Sequence, residues 1–152
     1  RFSALDAPEK TFLVANTHWS YRTEHANGQT YLFGSNTPIA VNELRTQCKD
    51  ETNRILSTLR QENPGVPIFL TGDFNTSLPF FTDSGWTPAA FRLISEEALN
   101  SGTSISLVPS SGHFDHLFGT GNYTIKHFAF FNNTNQHSLL TDHPFVYADL
   151  AF

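Results

Sequence analysis

Two short apolar runs without polar alternation bracket the most regular stretch of this sequence, and together they limit what the chain can fold into. Phe12, Leu13, Val14 and Ala15 form the first run, and residues 66–71 form the second. A run of this length with no alternation reads as a strand buried on both faces. Between them, Val41, Leu44, Cys48, Ile55 and Leu59 recur at three-, four- and seven-residue intervals. That recurrence marks one apolar face of a helix. Thr37-Pro38 supplies an N-cap followed by proline at the first helical position, and Pro64-Gly65 stops the helix after about Glu62. Strands mixed with a long helix predict a layered α/β architecture.

The remainder of the chain fits that class. A second helix is expected over residues 88–99, where Phe91, Ile94 and Leu99 are partly in phase. Strands are expected over residues 104–108, 113–118, 123–131 and 145–152, with Gly119-Thr120-Gly121-Asn122 as a turn. Residues 20–37 are polar and aromatic without a period and read as a long loop, a kind of segment that is often functional. No internal repeat, low-complexity tract or linker interrupts the chain.

Composition narrows the functional classes. At 152 residues the chain is one domain or a piece of one, and its start at Arg1 leads us to expect a fragment or a processed product. The formal charge is −5 and there is no basic run, which disfavours tight nonspecific nucleic-acid binding. A bound cation can nevertheless supply positive charge locally. Cys48 is the single cysteine, so no disulfide forms within the chain. Acceptor sequons for N-glycosylation occur at Asn75-Thr76-Ser77, Asn122-Tyr123-Thr124 and Asn132-Asn133-Thr134, and secretion is compatible with them. No stretch is long and apolar enough to span a bilayer.

Four short segments place chemistry at the ends of expected strands: Asn16-Thr17-His18, Gly72-Asp73-Phe74-Asn75, Phe114-Asp115-His116 and Thr141-Asp142-His143-Pro144. Strand ends are where a rigid sheet aims side chains into a crevice. Asp73 and Asn75 are two apart and would share one side of an extended chain, with Phe74 anchoring the strand from the other. A carboxylate holds a hard cation or orients a water, and an amide donates to a phosphate oxygen without adding charge. A polar turn after a strand explains the same residues about equally well. In Asp142-His143-Pro144, the Asp is a candidate metal ligand and the His a candidate proton carrier, its ordinary pKa lying near neutrality. A capped loop before the last strand is the plainer alternative. Asp115, among apolar neighbours, would want a partner, and an imidazole N–H is a natural one. His18 can donate to a phosphate oxygen or protonate a leaving group, whereas His116 points opposite to Asp115 and reads as structural.

Order and spacing weigh more than any one segment. In those four segments, in that order, the chain resembles the endonuclease/exonuclease/phosphatase superfamily, the DNase I-like fold, from Phe12 to Phe152. A four-residue match at about 5% per residue arises by chance in roughly one chain per thousand of this length. The resemblance implies that Asp142 binds metal, that His143 activates the attacking water and that Asp115 orients it. It also implies that Asn75 binds phosphate, that Asp73 aligns the nucleophile or binds metal, and that His18 contacts the phosphate. The implied cofactor is Mg²⁺, or Mn²⁺ or Ca²⁺. The implied activity is a divalent-metal-dependent phosphoesterase acting on nucleic acid, phospholipid or a phosphorylated small molecule.

One departure is large. That superfamily's amino-terminal half carries an Asn on its first strand and a metal-binding Glu further on, and nothing before Phe12 matches either. Residues 1–152 are therefore expected to be the carboxyl-terminal half of such a domain, supplying about one sheet with its flanking helices and completed by an amino-terminal half outside this chain. The competing class is a catalytically silent binding module that keeps the fold. Against it, Asp73, Asn75, Asp115, Asp142 and His143 are all intact. A serine hydrolase lacks its G-x-S-x-G, and a zinc hydrolase lacks H-E-x-x-H or paired cysteines.

Overall fold

In the computed structural model, which describes residues 1–4, 7–19, 22–24, 30–32, 40–76, 91–101, 105–106, 114–131 and 145–152, the two apolar runs lie side by side at the centre of a sheet. The elements in chain order are β1 (Phe2–Ser3), β2 (Thr11–His18), β3 (Arg22–Glu24), β4 (Thr30–Leu32), α1 (Val41–Glu62), β5 (Ile68–Asp73), β6 (Arg92–Leu93), α2 (Ile94–Ser101), β7 (Ile105–Ser106), β8 (Asp115–Gly119), β9 (Thr124–Phe131) and β10 (Phe145–Ala151). The main sheet has the order β1-β2-β5-β8-β6, and a second sheet has the order β10-β9-β7. β2 and β5 are parallel and joined through α1, while β8 runs antiparallel to β5. Parallel neighbours need such a crossover, and a helix is its usual form.

Side-chain alternation along β5 explains the layering. Ile68 and Leu70 point to one face and pack with Leu56 of α1, with Phe118 and with Phe74. Phe69 points to the other face and packs with Ile125, Phe128 and Phe130 of β9 and with Ile94 and Ala98 of α2. The same division holds in β2, where Leu13 and Ala15 join the first cluster and Phe12 the second. The main sheet is thus covered by α1 on one face and by the second sheet on the other. Both faces of the central strands are buried, which is why the runs carry no polar alternation.

At the end of the main sheet where β8 finishes, Arg92 ties the chain together. Its guanidinium bonds Glu97 (2.8 Å) and the Gly121 carbonyl (3.0 Å) and lies 4.2 Å above the Tyr123 ring. The Tyr123 hydroxyl donates to Glu97, and burial, then the Glu97 charge, push that phenol well above its ordinary value.

Several boundaries differ from the sequence reading. The fold class holds, but the strands build two principal sheets where about one was expected. Alternating apolar residues on β9 and β10 (Phe128, Phe130, Val146, Ala148, Leu150) give that hairpin a face that buries against Phe69. α1 begins at Val41 after an extended Ala40 (φ −68°, ψ 137°), later than the Thr37-Pro38 signal. Its core-facing stripe is Leu44, Thr52 and Leu56, all buried, with Cys48 and Leu59 half-buried, while Ile55 is 44% exposed. Four-residue steps along the helix keep Leu56 on the core side and turn Ile55 to the edge. The second helix starts at Ile94, because Arg92–Leu93 pairs with β8 as an edge strand instead. Within the expected loop of residues 20–37, β3 and β4 form a two-stranded antiparallel ribbon.

Phe118 is fully buried between Leu70, Leu93 and Phe74 and is paired with Leu70 and Leu93 in the sheet. Phe118→Ala should therefore lower the unfolding free energy by about 3–5 kcal/mol, read as a shifted urea midpoint at unchanged slope. A loss below about 1 kcal/mol would mean that this core is not packed as described.

Candidate active site

Three of the expected residues occupy a single cross-strand row. His18 ends β2, Asp73 ends β5 and Asp115 opens β8, and the registers pair His18 with Asp73 and Asp73 with Asp115. Residues in register share a face, so all three side chains stand on the same side of the main sheet. It is also the face of Val14 and Asn16, which are exposed, as is His18. The sheet thus loses its covering as it approaches the row. His18 Nε2 lies 3.5 Å from Asp73 Oδ2, with the imidazole 71% and the carboxylate 19% exposed.

Asn75 reaches the row by a turn. The sequence reading placed Asp73 and Asn75 two apart on one extended strand, but β5 ends at Asp73. There the Asp73 Oδ1 accepts the Asn75 backbone N–H at 2.7 Å, and Asn75 adopts a left-handed φ of 46°. Asn is among the few residues that take this conformation readily. Its side-chain Nδ2 donates to the Trp19 carbonyl at 2.7 Å. An amide nitrogen carries two hydrogens, so one remains for a ligand oxygen. Phe74 anchors the turn from behind, 1% exposed and edge-on to Trp19 and Phe118.

Gly72 makes the close approach possible. Its φ is +145°, and a Cβ there would sit 1.8 Å from the Thr17 carbonyl oxygen. The strand segment Gly72-Asp73 therefore approaches β2 at a point where no side chain fits. His116, read from sequence as structural, is buried at 2% exposure on the opposite face, with Nε2 2.9 Å from the Thr76 carbonyl.

Trp19 and Thr52 are supporting residues that sequence reasoning did not single out. Trp19 is 4% exposed, and its indole N–H donates to the Thr52 hydroxyl of α1 at 3.0 Å. That hydroxyl donates in turn to the Cys48 carbonyl at 2.7 Å. The Trp19 backbone N–H donates to the Asp73 carbonyl at 2.9 Å. Trp19 thus bonds β5 through its backbone, the Asn75 amide through its carbonyl and the long helix through its side chain. The available signal was the position of Trp19 directly after His18 at the end of a buried run.

The electrostatics of the row are uneven. Asp73 and Asp115 are directly opposite one another in an antiparallel pair, an arrangement that is destabilising for like charges unless a cation or proton lies between them. The donors are carboxylate oxygens and one imidazole, with no thiolate, a set suited to a hard divalent ion. Among the described residues no group of three or more His, Cys, Asp and Glu side chains forms a complete metal site. Asp142 and His143 lie outside the described residues.

No protein-family model matches the chain, and no curated protein matches it. Among solved structures, a mannosyl-6-phosphatase of Bacteroides thetaiotaomicron is similar over 82% of this chain and 55% of its own, at TM-score 0.50 and 16% identity. An endonuclease/exonuclease/phosphatase family protein of the same organism is similar over 80% of this chain and 49% of its own, at TM-score 0.42 and 14% identity. The chain spans about half the length of either structure. The likeness is one of fold: a mixed α/β architecture of the DNase I-like type.

Glycine at position 72 can be tested against a control. Gly65 also has a positive φ, +77°, but open space around it. Gly65→Ala should cost about 1–2 kcal/mol, the ordinary penalty of a left-handed backbone. Gly72→Ala should cost clearly more in the same denaturation experiment, because it adds a clash with Thr17. Equal costs would mean that β5 and β2 do not approach as closely at this row.

Proposed function

We propose that this chain carries part of the active site of a phosphate-ester hydrolase that works with a divalent cation. The observation that carries the reading is the in-register row of His18, Asp73 and Asp115, with Asn75 held beside it. In this reading Asp73 and Asp142 hold the ion, which when bound would polarise the ester and offset the two facing carboxylates. His143 takes a proton from the attacking water. Asp115 fixes the His143 ring and stabilises its charged form. Asn75 donates its remaining amide hydrogen to a nonbridging oxygen. His18, the most exposed member, contacts the phosphate or protonates the leaving group.

The row suits phosphate esters in general and does not choose among them. Phosphorylated sugars belong in the first assay because the similar structure is described as a mannosyl-6-phosphatase. Plasmid DNA, RNA, a sphingomyelin analogue and phosphorylated inositols complete the panel.

Chelation with EDTA should abolish hydrolysis by the complete protein, and added Mg²⁺ or Mn²⁺ should restore it. Full turnover in chelator would exclude the metal role given to Asp73 and Asp142. Binding of phosphate esters without turnover of any substrate in the panel would favour a silent binding module instead.

A second experiment addresses the proton transfer. His143→Ala should lower turnover by about 10²–10⁴-fold while the melting temperature stays near that of the wild type. Asp115→Asn should also be slow, because an amide does not stabilise an imidazolium as a carboxylate does. The double variant should be little worse than His143→Ala, since residues acting as one unit are not additive. Near-normal turnover in His143→Ala would remove His143 from the mechanism.

A further inference from the structure

The three N-glycosylation sequons are equivalent as sequence; the described residues include Asn75 and Thr76 of the first and all of Asn122-Tyr123-Thr124. At Asn75 the side-chain nitrogen already donates to the Trp19 carbonyl at 2.7 Å. The next residue, Thr76, is 2% exposed and receives His116 on its carbonyl. A sugar on Asn75 would have to occupy the space between Trp19 and the carboxylate row. Its amide nitrogen is engaged in the folded chain, and a substituent on it would displace that bond.

Asn122-Tyr123-Thr124 has the opposite character. It forms the turn between β8 and β9, and both Asn122 and Thr124 are exposed. Neither the Asn122 amide nor the Thr124 hydroxyl has a side-chain partner among the described residues. The residue between them is the anchor: Tyr123 is half-buried, bonded to Glu97 and covered by Arg92. Arg92 also holds the Gly121 carbonyl just before the sequon, where Gly121 turns with φ +93°. The turn is therefore fixed from below, while the two groups that glycosyl transfer requires point to solvent. β8 runs from Asp115 in the candidate site to Gly119 beside this turn, a distance of roughly 13 Å. A large substituent on Asn122 would stand clear of the carboxylate row.

We propose that Asn122 is an acceptor for asparagine-linked glycosylation whenever the chain passes through a compartment holding the transferase. The Asn122 side-chain nitrogen forms a bond to the anomeric carbon of an oligosaccharide carried on a lipid diphosphate. The carbon–oxygen bond to the diphosphate breaks, the lipid diphosphate leaves with the electron pair, and the amide gives up one proton. The glycan then extends from the β8–β9 turn and leaves the open face at His18 accessible.

The test is to secrete the complete protein from a eukaryotic host and map glycopeptides by mass spectrometry before and after peptide-N-glycosidase treatment. The Asn122 peptide should be modified and the Asn75 peptide should not. Asn122→Gln and Thr124→Ala should each remove that glycan, and Thr124→Ser should keep it. If the host retains the protein, translation in the presence of microsomes reads the same result as a glycosidase-sensitive gel shift that Asn122→Gln abolishes. An unmodified Asn122 in secreted, folded protein would overturn the proposal, as would a folded product modified at Asn75.

Discussion

The whole arrangement hangs on the backbone of Ile68–Asp73, which is hydrogen-bonded to a parallel strand on one side and an antiparallel strand on the other. Register in a sheet is settled by which residues face the core, because a slip of one position exchanges the two faces. Here Ile68 and Leu70 must face α1 and Phe69 must face β9, and all three are nearly inaccessible to solvent. Burying each is worth about 1.5–3 kcal/mol. The same register brings Asp73 opposite Asp115. At about 5 Å, two such charges repel by about 1 kcal/mol in water and about 3 kcal/mol at an effective dielectric constant of 20. Three buried side chains outweigh that repulsion on either figure. The packing of the core thus fixes the register that sets the two carboxylates opposite each other.

The tetrad Gly72-Asp73-Phe74-Asn75 shows why a short motif can carry so much structural information. Each position answers a different demand. Gly72 allows the strand to touch the Thr17 carbonyl at a φ that other residues rarely adopt. Asp73 completes the carboxylate row and closes the turn that follows through its Oδ1. Phe74 fills the core between Trp19 and Phe118. Asn75 takes the left-handed conformation and returns its side chain to β2 through Trp19. Since no position serves the purpose of its neighbour, chance substitution at any one removes a distinct contact.

That separation of demands also explains what the sequence made legible. Buried strands and the long helix were readable because their signals are periodic and local. The row of His18, Asp73 and Asp115 was readable because each lies in a polar segment at the edge of an expected strand. The turn that seats Asn75 was not, since an extended chain and an Asx turn are both compatible with Asp and Asn two residues apart. The buried role of Leu56 in place of Ile55 depends on where α1 lies over the sheet, which two adjacent apolar residues cannot specify. Trp19 and Thr52 meet across 33 residues, and no local pattern announces such a bond. The ribbon of β3 and β4 went unseen because three-residue strands are too short to show alternation.

The molecule divides its labour along β8. At the Gly119 end, Arg92, Glu97 and Tyr123 satisfy one another through charge, hydrogen bonds and a cation–π contact. At the Asp115 end, two half-buried carboxylates, an exposed imidazole and a left-handed Asn stand together. Carboxylates in facing register and a left-handed turn, even one at an Asn that takes it readily, each cost some stability. Such costs persist only where the surrounding structure over-determines the geometry. Trp19 supplies that constraint here: its ring is fixed to α1, its N–H to β5 and its carbonyl to Asn75. The long helix therefore reaches the row through Trp19, and the turn that carries Asn75 is held by contacts buried on the far side of the sheet from the row.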